Sequence, residues 1–152
     1  MEERRARRGK VIRLSVVGVV ALAILIWVGR GAYAKTSRAR ECAGLAEAIN
    51  PVLDEIQTLT KKKHDGAAYR AASERYTKLA VLIPKLAGRG TAADAKEYKE
   101  VLVSAAKALR TGSTALDSKN FAGIEQTRRE LDRVVRKERT VVAKIDAYCR
   151  AN

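Results

Sequence analysis

The stretch CAGLAEAINPVLDEIQTL, residues 42–59, carries the pattern that decides the fold. Its apolar side chains recur at alternating spacings of three and four residues, which places them on one stripe of an α-helix. The stripe consists of Cys42, Leu45, Ile49, Val52, Ile56 and Leu59. Asn50-Pro51 interrupts it, and because proline removes a backbone donor, a kink or a helix restart is expected there. The pattern predicts an amphipathic helix over residues 36–63.

Three further stretches repeat this period and predict three more helices. The second helix is predicted over residues 67–86, the third between the turns at 87–91 and 117–120, and the fourth from residue 121 to the C-terminus. Their apolar stripes are Tyr69, Ala72, Tyr76, Leu79, Ile83 and Leu86; then Ala95, Tyr98, Leu102, Ala105, Leu109, Gly112 and Leu116; then Phe121, Ile124, Leu131, Val135, Val142, Ile145 and Cys149. Arg128 and Glu138 intrude on the last stripe.

The turns between the helices are short and polar. They read KKKHDG (61–66), AGRGT (87–91) and DSKN (117–120). Pro84 falls in the last turn of the second helix, and Thr91 is an expected N-cap of the third, with Asp94 three residues on. Because short connections leave each helix beside its predecessor, we expect an antiparallel up-down-up-down four-helix bundle.

The chain has two cysteines, and this topology brings them together. Cys42 lies near the start of the first helix and Cys149 near the end of the fourth, so both lie at the same pole of the bundle. We therefore predict a disulfide between them, which would close a loop of 107 residues and contribute about 4 to 5 kcal/mol as an upper figure. Two buried thiols and an intermolecular bridge are the alternatives.

A basic and then apolar segment precedes the bundle. No charge occurs between Leu14 and Gly29, and the stretch VVGVVALAILIWVGRGAYAK spans residues 16–35. A membrane span needs about 20 apolar residues, so we predict a cytoplasmic basic segment (1–10), a transmembrane signal anchor (11–30) and an exported bundle (31–152). Cleavage after Ala34 and secretion is the alternative, which Arg30 disfavours. A buried core helix is a further alternative.

The distribution of basic residues orients this segment. Six cations precede the uncharged stretch 14–29 and four follow it closely, which favours a cytoplasmic N-terminus. They are Arg4, Arg5, Arg7, Arg8, Lys10 and Arg13 before this stretch, and Arg30, Lys35, Arg38 and Arg40 after it. Disulfides persist in oxidising compartments, so the cysteine pair agrees with a body that lies in the periplasm or elsewhere outside the cytoplasm. We predict a single-pass protein of the inner or cytoplasmic membrane.

The chemistry-bearing residues form no catalytic or ligand-binding constellation. The single histidine, His64, lies in a lysine-rich turn, where a solvated residue is expected. Met1 is the single methionine, and no Cys-x-x-Cys-His, paired Glu-x-x-His or Gly-x-Ser-x-Gly motif occurs. The GRG at 88–90 lacks the rest of a phosphate-binding signature. We expect no enzyme activity, metal or cofactor.

The net charge of +14 suggests an anionic partner. Residues 35–152 hold 24 basic and 15 acidic side chains, so this part of the chain is strongly basic on its own. The densest cations on the fourth helix are Arg128, Arg129, Arg133, Arg136, Lys137, Arg139 and Lys144. Glu125, Glu130, Asp132 and Glu138 interleave with them, so a solvated, ion-paired face is the alternative to a binding surface.

The nature of such a partner follows from the predicted compartment. Outside the cytoplasm, an anionic lipid, an acidic wall polymer or an acidic protein is expected rather than nucleic acid. Tyr69, Tyr76 and Tyr98 have the spacing of core residues, which argues against a platform for stacking bases.

Three hypotheses of function remain from the sequence. The leading one is a membrane-anchored envelope protein whose bundle is a structural or protein-interaction module without catalysis, with a protein partner in the envelope. The second is a ligand-binding or sensory bundle, although we expect no cytoplasmic output domain from this sequence. The third is an envelope-bridging protein, similar in layout to a phage spanin or a division-linked coiled coil, which an extended rod would favour.

Overall fold

The computed structural model describes residues 37–62 and 64–150, which form four α-helices. The helices are α1 (Ser37–Lys62), α2 (Gly66–Leu86), α3 (Ala92–Asp117) and α4 (Phe121–Arg150). The described residues contain no β-strand, so the predicted all-α class is confirmed. The predicted basic segment 1–10 and transmembrane helix 11–30 lie outside the described residues.

Consecutive helices run antiparallel, as ion pairs between them demonstrate. In each pair, the two residues lie at similar distances along their helices from the turn that joins those helices, as in an antiparallel hairpin. The pairs are Glu55–Arg75 between α1 and α2, Arg70–Asp117 between α2 and α3, and Glu97–Lys144 between α3 and α4. The most extensive contact is between α2 and α3, and α1 and α4 contact each other least among neighbouring helices. The up-down-up-down order places the beginning of α1 and the end of α4 at one pole.

The apolar stripes of the four helices face one another and form one hydrophobic core. The α2 and α3 stripes are buried as predicted, apart from Leu86 and Leu116, which are half-buried. Tyr98, Leu102 and Ile83 are among the least exposed side chains. Burying a side chain of this size contributes about 1.5 to 3 kcal/mol, so the stripes supply the main favourable term in folding.

The α1 stripe differs by one position from the prediction. Leu53 and Thr60 are buried, whereas Val52 and Leu59 are half-buried at the edge of the stripe. Val52 and Leu53 both lie near the stripe, as do Leu59 and Thr60, because the helical spacing alternates between three and four residues. The packing of α2 decides which residue of each pair is enclosed. α1 continues through Pro51 without interruption, so the helix does not restart there.

Phe121 was expected in the core, and that prediction is wrong. Its side chain is 79% exposed at the first residue of α4. The buried side chains of α4 centre on Glu138, and Val135 lies at the edge of this stripe. A straight helix drifts by about 20° per heptad relative to a seven-residue repeat, so Phe121, two heptads before Val135, lies beyond that edge. Arg128, one heptad from each, is accordingly half-buried.

The helix ends are fixed by side chains from the turns. Asp65 caps α2, because its carboxylate accepts a hydrogen bond from the Ala68 backbone N–H at 2.8 Å. Asn120 accepts in the same way from Gly123 N–H at the start of α4. Thr91 precedes α3 as predicted, but its side chain forms no capping bond. Its hydroxyl donates instead to a carboxylate of α1.

Candidate interaction surface

Cys42 and Cys149 form a disulfide, as the bundle topology predicts. Their Cα atoms are 5.9 Å apart, and the described residues contain no unpaired cysteine. The bridge joins the second turn of α1 to the last turn of α4. We call this end of the bundle the disulfide pole.

Glu41 adds a second connection at the disulfide pole. Its carboxylate accepts hydrogen bonds from Gly88 N–H at 2.8 Å, from Thr91 N–H at 3.2 Å and from the Thr91 hydroxyl. Thr91 is fully buried, and a Cβ at position 88 would collide with the Glu41 carboxylate. The carboxylate therefore holds the α2–α3 connection against the first turns of α1.

An aromatic contact completes the disulfide pole. The Arg38 guanidinium lies over the Tyr148 ring, 5.0 Å from its centroid, which is a cation–π arrangement between α1 and α4. With the adjacent disulfide, this contact holds the end of α4 against the beginning of α1.

The seven cations predicted as an anion-binding surface divide into two groups. Arg128, Arg129 and Lys144 have carboxylate partners. Arg128 donates to Glu125 at 2.7 Å and to Asp132 at 3.3 Å. The hydrogen bond from Arg128 is the main cause that lowers the pKa of Glu125 to about 2, and Arg129 adds to it.

Lys144 pairs in the same manner with a residue of another helix. Its ammonium lies 2.6 Å from the Glu97 carboxylate of α3. Because these pairs are on the surface, they contribute little to stability, but they neutralise three of the seven charges locally. The cations at the two ends of the predicted surface are therefore ion-paired.

The remaining four cations are exposed, and we call them the basic face. They are Arg133, Arg136, Lys137 and Arg139. Within residues 37–62 and 64–150, no carboxylate lies at ion-pair distance from any of them. The basic face is the strongest candidate for an anionic partner.

The opposite side of α4 carries a buried carboxyl group. Glu138 is 2% exposed and accepts a hydrogen bond from the Tyr98 hydroxyl of α3 at 3.2 Å. Burial raises the pKa of Glu138 to about 7, although the hydrogen bond from Tyr98 opposes the rise. Burial and the charge of Glu138 raise the pKa of Tyr76 and Tyr98 well above 10.0.

The sequence placed Glu138 on the stripe but not in this environment. The partner hydroxyl lies forty residues earlier, so local spacing carries no signal for the pair. The sequence offered two clues to the pair. One was a charged residue, Glu138, at a heptad position of an apolar stripe, and the other was the aromatic hydroxyl of Tyr98 on the stripe of another helix.

The described residues hold no cluster of His, Cys, Asp and Glu side chains that could bind a metal ion. His64 is exposed in the α1–α2 turn. Across the same residues, none of the helices combines the length and hydropathy that crossing a bilayer requires.

Comparisons with protein-family models, curated proteins and solved structures found no match to this chain.

Proposed function

We propose that the chain is a single-span envelope protein whose helical bundle lies outside the cytoplasm and acts as a structural or protein-interaction module without catalysis. The observation that carries the proposal is the disulfide between Cys42 and Cys149. Disulfides form and persist in oxidising compartments, so a bridge that closes the whole bundle favours an exported body. The apolar sequence at residues 11–30 supplies the corresponding anchor.

Packing inside the bundle supports an interaction module over a ligand-binding bundle. At Gly112 of α3, an added Cβ would lie 2.6 Å from Thr127 of α4 and 3.2 Å from the Tyr69 ring of α2. Three helices thus meet at this level with no room for a methyl group. A ligand between the helices would need a cavity in place of such contacts.

The shape of the bundle supports the same choice over an envelope-bridging rod. The ion pairs between consecutive helices require that each helix folds back along the previous one. A four-helix bundle of this kind is only about as long as its longest helix. α4 has 30 residues, which corresponds to about 45 Å.

Topology and membrane extraction test the proposal directly. The full chain is fused at its C-terminus to alkaline phosphatase, which is active only where its own disulfides form. We expect an active fusion that stays in the membrane pellet after alkaline carbonate extraction, because residues 11–30 span the bilayer.

Two results would contradict the proposal. An inactive fusion whose Cys42 and Cys149 react with a thiol reagent in intact cells would indicate a cytoplasmic body. A soluble, active product whose N-terminus is Lys35 would instead establish secretion after cleavage at Ala34.

A further inference from the structure

We propose that the basic face of α4, formed by Arg133, Arg136, Lys137 and Arg139, docks on the anionic phospholipid headgroups of the membrane that anchors the chain. The bundle then lies with α4 along the bilayer surface. This inference rests on the proposed function, because it needs the anchor at residues 11–30.

The position of the basic face on α4 is the first argument. Val134, Val135, Val141 and Val142 are buried on the opposite side of the helix, so the four cations point away from the bundle. From residue 133 to residue 139 the helix rises by about 9 Å. The charges are therefore concentrated on a short outward surface.

The ion pairs on either side of the basic face make it distinct. Glu125 and Asp132 neutralise Arg128 and Arg129 on the N-terminal side, and Glu97 neutralises Lys144 on the C-terminal side. The centre retains its positive charge. An anionic surface that meets α4 therefore gains most at these four residues, since they need not first leave a carboxylate partner.

The disulfide allows α4 to lie along the bilayer surface although the segment between the predicted span and α1 is short. It holds Cys42 of α1, which follows the predicted span by twelve residues, beside Cys149 at the end of α4. Ser37, where α1 begins, follows Arg30 by seven residues, and this linker extends over at most about 25 Å. The anchor thus leaves the bilayer near the end of α4, and the basic face begins about 15 Å further along that helix.

The same attachment favours lipid over other anions. Headgroups lie at high effective concentration for a tethered bundle, and an anionic surface attracts Lys and Arg within about 8 Å, the Debye length in physiological salt. A diffusible acidic polymer or protein has no such advantage.

Arginine accessibility in reconstituted full-length protein tests the docking. The chain is inserted into vesicles of pure phosphatidylcholine or of equimolar phosphatidylcholine and phosphatidylglycerol. Phenylglyoxal modification at each arginine is then followed by mass spectrometry. We expect modification of Arg133, Arg136 and Arg139 to slow about threefold or more in the anionic vesicles. Arg110, which is exposed on α3, should react equally in both.

Three outcomes would overturn the proposal. Equal rates at the basic face in both vesicles would exclude lipid docking. Protection of Arg89 at the disulfide pole without protection of the basic face would indicate an upright bundle. Protection by added poly(glycerol phosphate) or polyglutamate, but not by phosphatidylglycerol, would assign the face to a polymer or an acidic protein.

A pair of charge-matched variants provides the control. In R133Q/R136Q/R139Q, phosphatidylglycerol should no longer slow acylation of Lys137. In K78Q/K107Q/R110Q, which removes three exposed cations from α2 and α3, the slowing should persist. Far-ultraviolet circular dichroism checks that both variants are folded. Persistent slowing of Lys137 acylation in the first variant would contradict the proposal.

Flotation separates this inference from the proposed anchor. The anchor predicts that the full chain floats with pure phosphatidylcholine vesicles and with anionic vesicles alike. A chain that floats with neither, or only with anionic ones, lacks a functional span, which would remove the proposed function. A chain that floats with both but shows no protection at the basic face would remove the docking alone.

Discussion

The Glu138 carboxyl has an environment that favours its neutral form. It is enclosed between α3 and α4, and the Tyr98 hydroxyl is its hydrogen-bond donor. One neutral donor replaces only part of the hydration that a carboxylate loses on burial. The pKa of Glu138 is therefore raised from 4.5 to about 7.

We predict that this group makes the bundle less stable as the pH rises. Below pH 4.5 the carboxyl is protonated in both the folded and the unfolded chain. Between pH 4.5 and about 7 the folded chain retains a proton that the unfolded chain releases, so the free energy of unfolding falls by about 3 kcal/mol. Glu138→Gln should remove this dependence and stabilise the protein at about pH 8, with little effect at about pH 4. Urea unfolding of the full chain in detergent micelles measures both.

The matched control for this experiment is Glu74→Gln on the exposed face of α2. It should leave the pH dependence of the wild-type chain intact. A Glu138→Gln variant whose stability changes with pH as the wild type does would show that another group is responsible.

Residue-scale features of this kind were the least predictable from the sequence. The apolar stripes identified Tyr98 and the intrusion of Glu138, but their contact depends on the rotation of α3 against α4. The Glu41–Thr91 contact was missed for the same reason, since its partners are fifty residues apart. Ion pairs of Arg128 and Arg129 within α4 were predictable, because three- and four-residue spacings produce them.

At the scale of the helices, the two glycines inside α3 and α1 differ in how closely neighbouring helices approach them. Gly112 allows α3 to approach Thr127 of α4 and Tyr69 of α2. Gly44 of α1 is a helical glycine as well, but an added Cβ there would have no heavy atom within 4 Å. An alanine at Gly44 therefore changes only helix propensity, whereas an alanine at Gly112 changes helix propensity and packing together.

We predict opposite effects of alanine at these two glycines. Gly44→Ala should raise the free energy of unfolding by up to about 1 kcal/mol, because alanine favours the helix and nothing obstructs its methyl group. Gly112→Ala should lower it by about 1 to 2 kcal/mol, because overpacking outweighs the same gain. Equilibrium unfolding in urea measures both. A stabilising Gly112→Ala would mean that α3 and α4 separate easily at this level.

A second prediction concerns the attachment of α1 to the α2–α3 connection. Glu41→Ala leaves Gly88 N–H, Thr91 N–H and the buried Thr91 hydroxyl without their acceptor. We expect a loss of about 2 kcal/mol of stability in urea unfolding. Glu47→Ala, on the exposed face of α1, should change stability by less than about 0.5 kcal/mol. Equal effects of the two variants would mean that the Glu41 contact contributes nothing.

Element boundaries and order were the most predictable features. The helical period and the polar turns located all four helices of the described region to within about one residue at the ends that were predicted. Phe121 was misplaced because a stripe drawn by heptads ignores the drift of a straight helix. Thr91 had the chemistry of an N-cap, but a tertiary acceptor, Glu41, bound its hydroxyl.

At the scale of the whole molecule, the disulfide joins the two helices that contact each other least among neighbours. α1 packs mainly on α2, and α4 packs mainly on α3. The bridge at one pole therefore adds a connection that the apolar core supplies only weakly. It also determines how close to the end of α4 the proposed anchor before α1 would leave the bilayer, on which the proposed orientation of the basic face depends.

We predict that the bridge stabilises the bundle without being needed for its helices. The double variant Cys42→Ser/Cys149→Ser should lose about 3 to 4 kcal/mol in urea unfolding, because the closed loop of 107 residues no longer restricts the unfolded chain. Its helical circular dichroism in the absence of urea should equal that of the wild type, since the apolar stripes remain. Cys42→Ser alone should match the double variant, which separates loss of the bridge from the serine substitutions themselves. Non-reducing mass spectrometry of the wild-type chain checks the premise, and two unpaired thiols or a covalent dimer would contradict the antiparallel topology from which the pairing was predicted.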